Sequence, residues 1–428
     1  MTLLVLVGGL VALSLAGVPL AFAILGACVA TILIFRPGLP LELVAQHVVS
    51  GVDNFPLIAV ALFLLSGELM NSGGITRRIV EFAATLVGHI RGGLGHVTVL
   101  GSMIISGISG SAVADAAATG SVMVPAMKRA GYPPAFAAAL CKTAAVMGPV
   151  IPPSIPMVIY AIQVEVSVGR MFVAGILPGV LMGVLLMGAV WLISRKRGYP
   201  FGRWGGMGAV VTAFLAASAA LATPVIILGG ILGGIFTVTE AGAIACAYCL
   251  IVAVFVYREM TWHALWEALV NAARGTASVM LIVGASGLMG WLISDLQINK
   301  QAASLLLELT TSPAGFLLLI NVFFLVVGMF MDPLAALIVF VPIFLPAAVA
   351  LGVDPIHFGL VVVINLMIGL CTPPVGYLIY LMADVAKEPP HRVIRESLPF
   401  LGVLLLVLAA VTYVPSLSLA LPKLLLGG

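Results

Sequence analysis

The sequence predicts an all-α polytopic membrane protein whose helices are interrupted at matched positions. Of its 428 residues, 62% are hydrophobic and only 8% are charged, whereas a soluble domain carries about 25% charged residues. The apolar runs are long enough to cross the hydrocarbon as helices, and we count about 12 to 14 of them, some being half-crossings. Continuous runs exclude an outer-membrane barrel, whose short strands would alternate.

Motifs that recur about 220 residues apart predict two repeats within this single membrane domain, residues 1–428. The recurring motifs are Gly131, Pro134, Pro152 and Pro153, matched by Gly352, Pro355, Pro373 and Pro374, and Asp115 with Pro125, matched by Asp332 with Pro342. Paired interruptions of this kind are typical of secondary transporters with discontinuous helices at the substrate site. We place the first repeat at about 40–194 and the second at about 260–395, and we favour an inverted relation between them.

The apolar runs and their interruptions predict the following elements, in chain order. They are a helix over Leu3–Phe35 bent near Gly17, a helix over Phe55–Met70, a span over Leu94–Met127 broken within Ser106–Asp115, a span over Ala135–Ala161 broken within Gly148–Pro156, and a clean span over Met171–Ile193. Spans at about 207–232 and 241–257 separate the halves. The second half has a run around Ser286, breaks near Asp332 and Thr372, and a last span over Leu398–Leu421.

The charged and nucleophilic residues do not indicate an enzyme. No G-x-x-x-x-G-K-[ST] motif is present, so we do not expect ATP hydrolysis within the chain and expect an ion gradient to drive transport. A membrane enzyme acting on a lipid-linked substrate would need His, Asp or Arg clustered near one face, and the sequence shows no such cluster. The histidines lack metal-ligand spacing, and we expect neither a transition metal, a cofactor nor a nucleic-acid partner.

The segment Ser106–Asp115 is the first candidate ion site. Non-helical backbone at membrane depth needs protein, water or a ligand to satisfy it. Free carbonyls and hydroxyls suit Na⁺, so Ser109, Gly110, Ser111 and Asp115 are candidate ligands. The alternative is close helix packing by small residues, with Asp115 as a helix cap.

Further candidate ion ligands lie at the other interruptions. Asp332 is interpreted as the counterpart of Asp115, although it could simply cap a helix that begins at Pro333. A carboxylate between long apolar runs is costly without a partner, which favours a functional role. The pairs Ser66-Gly67 and Ser286-Gly287 suit the tips of re-entrant hairpins, and Thr372 adds a hydroxyl at the last break.

Two proline pairs predict designed breaks in helices. Each pair removes two backbone donors and prevents a regular helix, which frees earlier carbonyls. We therefore interpret Pro152, Pro153 and Ser154, and Pro373 with Pro374, as substrate-binding or hinge residues.

Six motifs together resemble the large membrane (M) subunit of the tripartite ATP-independent periplasmic (TRAP) transporters, over about residues 1–420. They are Gly67–Gly74, Gly107–Asp115, Gly148–Pro153, Gly175–Gly179, Thr239–Ala241 and Gly369–Gly376. The resemblance implies an elevator-type fold with two inverted repeats, re-entrant hairpins and a mobile transport domain moving past a scaffold.

The resemblance also implies function and partners. It implies Na⁺ symport of organic acids such as C4-dicarboxylates or sialic acid in a prokaryotic inner membrane. It implies a separate small four-helix membrane subunit, which is not fused here, and a periplasmic substrate-binding protein. A stand-alone Na⁺/carboxylate carrier that needs neither partner is the alternative.

Overall fold

A computed structural model of the chain describes residues 2–298, 304, 308, 310 and 312–427, and within these residues every regular element is a helix. The first half contains α1 (Thr2–Leu15), α2 (Leu20–Phe35), α3 (Glu42–Val52), α4 (Ile58–Ser72), α5 (Ile75–Val87), α6 (Gly93–Ser109), α7 (Ala112–Arg129), α8 (Pro134–Ala145), α9 (Ile155–Val164) and α10 (Val168–Arg197). The remainder contains α11 (Gly206–Leu232), α12 (Val238–Ile251), α13 (Trp262–Asp295), α14 (Pro313–Phe330), α15 (Pro333–Ala350), α16 (Pro355–Leu370), α17 (Tyr377–Ala386), α18 (Pro390–Tyr413) and α19 (Ser416–Leu426).

Eight of the described helices are long and apolar enough to cross a membrane, and the shorter apolar helices have 10 to 17 residues. This mixture of full-length and short apolar helices confirms the prediction of a polytopic protein with discontinuous helices. Short helices cannot each span a hydrocarbon layer that needs roughly 20 residues.

The first and last predicted spans are both wrong as single helices. The run Leu3–Phe35 forms α1 and α2, of 14 and 16 residues, which pack against each other as a hairpin. The chain turns at Gly17, whose φ is +84°, and Pro19 precedes the second helix. At the other end, α18 already begins at Pro390, and the chain breaks before α19.

The two halves repeat the same order of elements. Helices α7 and α15 both contain 18 residues, and each is followed by a glycine with positive φ, Gly131 at +87° and Gly352 at +76°. Both proline pairs, Pro152-Pro153 and Pro373-Pro374, have a cis peptide bond between α8 and α9 and between α16 and α17 respectively. The interruptions therefore recur at the predicted places.

The register of the repeat differs from the one expected for the acidic residues. Ser111 is the N-cap of α7 and Asp332 is the N-cap of α15, so these two residues are the matched pair. Asp115 lies one turn inside α7, where the second half has Ala336. The predicted match of Asp332 to Asp115 is therefore wrong, because an equal spacing to a proline does not indicate where each helix begins.

The helical hairpin of the first half has its tip at Gly110 and Ser111, where α6 and α7 meet and pack side by side. The prediction of hairpin tips at Ser66-Gly67 and Ser286-Gly287 is wrong, since both pairs lie inside continuous helices, α4 and α13. Each serine hydroxyl donates to a carbonyl of its own helix, Phe63 O at 2.9 Å for Ser66 and Ile282 O for Ser286. A polar residue satisfied in this way does not interrupt a helix.

The short helix that follows each proline pair packs against the other half of the chain, so the two halves exchange these helices. Helix α9 of the first half packs against α15 and α16 of the second, and α17 packs against α7 and α8. The Tyr160 hydroxyl donates to Pro355 O, and its ring lies against Gly359. Reciprocal contacts of this kind are what two repeats related by a pseudo-two-fold axis produce.

Candidate functional site

A cavity of about 140 Å³ lies between the interruptions of the two halves. The first residues of three helices line it, namely Ala112 of α7, Ile155 of α9 and Pro333 of α15. Pro149, from the break between α8 and α9, and Leu370, the last residue of α16, line it as well. Because the N-terminus of a helix carries partial positive charge, three N-termini that converge on one cavity favour an anionic ligand.

The hairpin tip is held directly against the break between α8 and α9. Gly110 has a φ of +63°, and a Cβ atom there would lie 2.8 Å from Pro153 O, so the tip needs glycine. Its carbonyl oxygen accepts a hydrogen bond from Ile155 N at 3.5 Å. The two interruptions of the first half therefore form one structural unit beside the cavity.

Asp115 is completely buried at this unit. Its carboxylate accepts hydrogen bonds from Ser109 Oγ and from Ser106 Oγ, the latter at 3.2 Å. Oδ2 also lies 2.4 Å from the position that a Cβ atom on Gly148 would occupy, so the carboxylate packs against the beginning of the break between α8 and α9. The structure thus brings Ser109 and Asp115, two of the candidate ligands, into contact and adds Ser106, which lies in the same polar segment.

Ser111 and Asp332 occupy matched positions and both line the cavity. The Ser111 hydroxyl accepts from Ala114 N at 3.4 Å, and Asp332 Oδ1 accepts from Leu334 N at 2.9 Å and Ala335 N at 3.3 Å. Both side chains therefore cap helices, which is the alternative that the sequence left open for Asp332. The Asp332 carboxylate nevertheless faces the cavity.

The remaining hydroxyls at the breaks stabilise the backbone there. Ser154 donates to Pro149 O and accepts from Met157 N at 3.3 Å, so it caps α9. Thr372 donates to Ile368 O at 2.6 Å, at the end of α16. Pro152, Pro153, Pro373 and Pro374 form the turns that separate the short helices.

The serine–glycine pairs lie in different environments. Gly67 packs against Ser109, because a Cβ atom on Gly67 would be 3.5 Å from Ser109 Cα, so Ser66-Gly67 borders the hairpin tip. Ser286 and Gly287 instead line a separate cavity of about 350 Å³, in which Gly287 packs on Gly51 of α3. The structure does not bring this second pair to the cavity between the breaks.

Lys142 is a residue that the sequence reasoning missed. It is fully buried on α8, and Nζ donates to the carbonyl oxygen of Cys371 at 2.7 Å, just after the end of α16. The signal was present, because Lys142 is the one charged residue in the run Ala135–Ala161. A charged residue at membrane depth is a functional candidate by default.

Comparisons with a protein family and with individual proteins indicate which family this chain belongs to. Residues 7–417 match the family described as "Tripartite ATP-independent periplasmic transporter, DctM component". The chain is 41% identical to the sialic acid TRAP transporter large permease protein SiaM of Vibrio cholerae, over 98% of each chain. It is 39% identical to the 2,3-diketo-L-gulonate large permease protein YiaN of Escherichia coli, over 97% of this chain and 98% of that protein.

The C4-dicarboxylate large permease protein DctM of Pseudomonas aeruginosa is 41% identical over 92% of each chain. The crystal structure of the Alcanivorax borkumensis YdaH transporter shares the fold, with a TM-score of 0.61 and 16% identity, over 91% of this chain and 89% of that one. These relatives are named as transporter permeases rather than enzymes, and with the eight spanning helices they indicate a multi-pass inner-membrane protein. The chain belongs to the DctM component family of the tripartite ATP-independent periplasmic transporters, as a large permease subunit.

Proposed function

We propose that this large permease subunit imports organic acids by Na⁺ symport, together with a small four-helix membrane subunit and a periplasmic substrate-binding protein. The observation that carries the proposal is the cavity at which the N-termini of α7, α9 and α15 converge. Sialic acid, C4-dicarboxylates and 2,3-diketo-L-gulonate, named for three relatives, are all carboxylates. A carboxylate is the ligand that such helix ends favour.

Asp115 supports Na⁺ as the coupling ion. It is buried among hydroxyls, and the ion pairs of the described residues do not include it. A buried carboxylate without a basic partner is costly, and a bound cation removes that cost. Ser106, Ser109 and backbone carbonyls of the breaks supply the oxygen ligands that Na⁺ takes, and no cofactor is needed.

Coupling follows from charge. Asp115 and the cavity-lining Asp332 place negative charge beside a site for an anion. Na⁺ bound at Asp115 lowers the repulsion of a substrate carboxylate, so each ligand raises the affinity for the other. Na⁺ and the substrate are therefore expected to bind, and to be carried, together.

Movement of the site past a scaffold, the elevator mechanism, is supported by how the helices are grouped. The interrupted helices α6–α9 and α14–α17 interlock and form the transport domain of this proposal. The long helices α10–α13 and α18 form the scaffold, so both repeats, about 40–194 and 260–395, contribute to both parts.

Reconstitution tests the proposal. The chain is placed in proteoliposomes with its small subunit, with and without the binding protein, and uptake of labelled sialic acid, succinate and diketogulonate is measured under an inward Na⁺ gradient. Uptake that needs both partners and Na⁺ supports the tripartite symporter. Uptake by the chain alone would show that it is a stand-alone carrier. Uptake in the absence of Na⁺ would show that Na⁺ is not the coupling ion.

A further inference from the structure

Lys142 lies at the C-terminal end of an interrupted helix. Helix α16 ends at Leu370, and the ammonium of Lys142 donates to the next carbonyl, Cys371 O, at 2.7 Å. The last carbonyls of a helix lack intrahelical donors and carry partial negative charge. In transporters with discontinuous helices, such C-terminal carbonyls coordinate the coupling cation.

No carboxylate accounts for the burial of this ammonium. The side chain is fully buried, and the ion pairs of residues 2–298 and 312–427 do not involve it. A buried charge that lacks an opposite charge is expensive. The Cys371 carbonyl at the helix end is thus the partner that keeps the ammonium there.

Each of the two buried charged residues of the first half, Asp115 and Lys142, is matched by an apolar residue in the second half. Position 142 of α8 corresponds to Val363 of α16, which is fully buried and apolar. Position 115 of α7 corresponds to Ala336 of α15. The first break therefore has a fixed negative charge, Asp115, and the second has a fixed positive charge, Lys142, supplied from the first half.

We propose that the Lys142 ammonium takes the place of a bound Na⁺ at the break between α16 and α17. The second break then needs no mobile cation, and the chain binds one Na⁺ fewer than two equivalent breaks would. The inference rests on the proposed Na⁺ coupling at Asp115. It assigns to Lys142 the role of a tethered cation that holds the carbonyls of this break in place.

The experiment measures the melting temperature of the purified chain in detergent as NaCl replaces choline chloride at constant ionic strength. The slope of melting temperature against log[Na⁺] reports how many Na⁺ ions the folded protein binds. Lys142→Ala and Lys142→Ser remove the ammonium and leave room for an ion, the serine with an oxygen ligand. Lys142→Met fills the space without charge, and Val363→Ala is the matched control.

In choline we expect both small variants to melt below the wild type. In Na⁺ they recover, and their slope exceeds the wild-type slope by about one Na⁺ equivalent. Lys142→Met is destabilised without recovery, and Val363→Ala melts lower by the same amount in both salts.

Two results overturn the inference, and a third overturns the proposed function. Wild-type slopes in both small variants, or failure of both to fold even in high Na⁺, show that a cation does not replace the ammonium, while Na⁺ coupling at Asp115 stands. If the melting temperature of the wild type does not depend on Na⁺ concentration, Na⁺ is not the coupling ion, and the proposed function itself fails.

Discussion

The backbone N–H of Ile155 donates a hydrogen bond to the carbonyl oxygen of Gly110 at 3.5 Å. This bond joins the tip of the α6–α7 hairpin to the first residue of α9, although the two lie in separate interruptions of the sequence. A shift of the hairpin tip therefore displaces the N-terminus of α9, which lines the same cavity. This contact mechanically links the proposed ion position to the proposed substrate position.

Gly110→Ala should disrupt this junction. The new methyl group would lie 2.8 Å from Pro153 O, at a backbone φ of +63°. We expect a loss of stability of about 1–3 kcal/mol and loss of uptake, measured by thermal unfolding and in proteoliposomes. Gly402→Ala on α18 is the control, since its Cβ meets nothing within 4 Å; equal behaviour of the two variants would contradict the tight junction.

Asp115→Asn should weaken Na⁺ binding while preserving the shape of the side chain. Loss of the charge removes the attraction for the cation, and we expect the apparent Na⁺ affinity of uptake to fall about tenfold or more. Ser109→Ala, which removes one hydroxyl from the carboxylate, should have a smaller effect in the same direction. Ser121→Ala on the exposed face of α7 is the control, and unchanged Na⁺ dependence in Asp115→Asn would exclude this site.

Asp332→Ala should lower the free energy of unfolding by about 0.5–2 kcal/mol, the usual cost of losing an N-cap. Asp332→Asn keeps an oxygen that accepts from Leu334 N and Ala335 N, so its stability should stay close to that of the wild type. Thermal unfolding of both variants shows whether Asp332 stabilises α15 through its N-cap hydrogen bonds or through its negative charge. A destabilised Asp332→Asn variant would show that the negative charge itself holds α15.

Asn365→Leu should loosen the packing of three helices. Asn365 on α16 donates to Asn321 Oδ1 at 2.7 Å, and Asn321 on α14 donates to Thr412 Oγ1 of α18 at 3.0 Å. Interhelical hydrogen bonds in membranes contribute about 0.6–2 kcal/mol. A double-mutant cycle with Thr412→Val measures the coupling, and strictly additive effects would refute a connected network.

Much of the fold could be predicted because interruptions in apolar helices leave strong signals. Proline pairs prevent a helix whatever surrounds them, so the breaks before Ser154 and after Thr372 were predicted from the sequence. Serine and glycine are weaker signals, since both are accommodated inside membrane helices. The pairs at Ser66 and Ser286 therefore suggested hairpin tips that are absent from α4 and α13.

The site was only partly predictable for a different reason. Ser109 and Asp115 are close in sequence, so their contact could be expected, whereas the partner of Lys142 is Cys371, in the other half of the chain. Helix starts also decide which residues match between repeats. Asp332 and Ser111 occupy equivalent positions in the two repeats, because each directly precedes the first residue of its helix. The spacing to a proline does not reveal this equivalence.

The exchange of α9 and α17 between the halves has a consequence for how the protein is made. As the ribosome releases the first half, α9 enters the membrane before the helices that will cover it, α15 and α16, have been synthesised. A chain truncated after α12 would therefore leave α9 without the contacts that α15 and α16 provide. Both halves must therefore be present before these short helices are covered on every side.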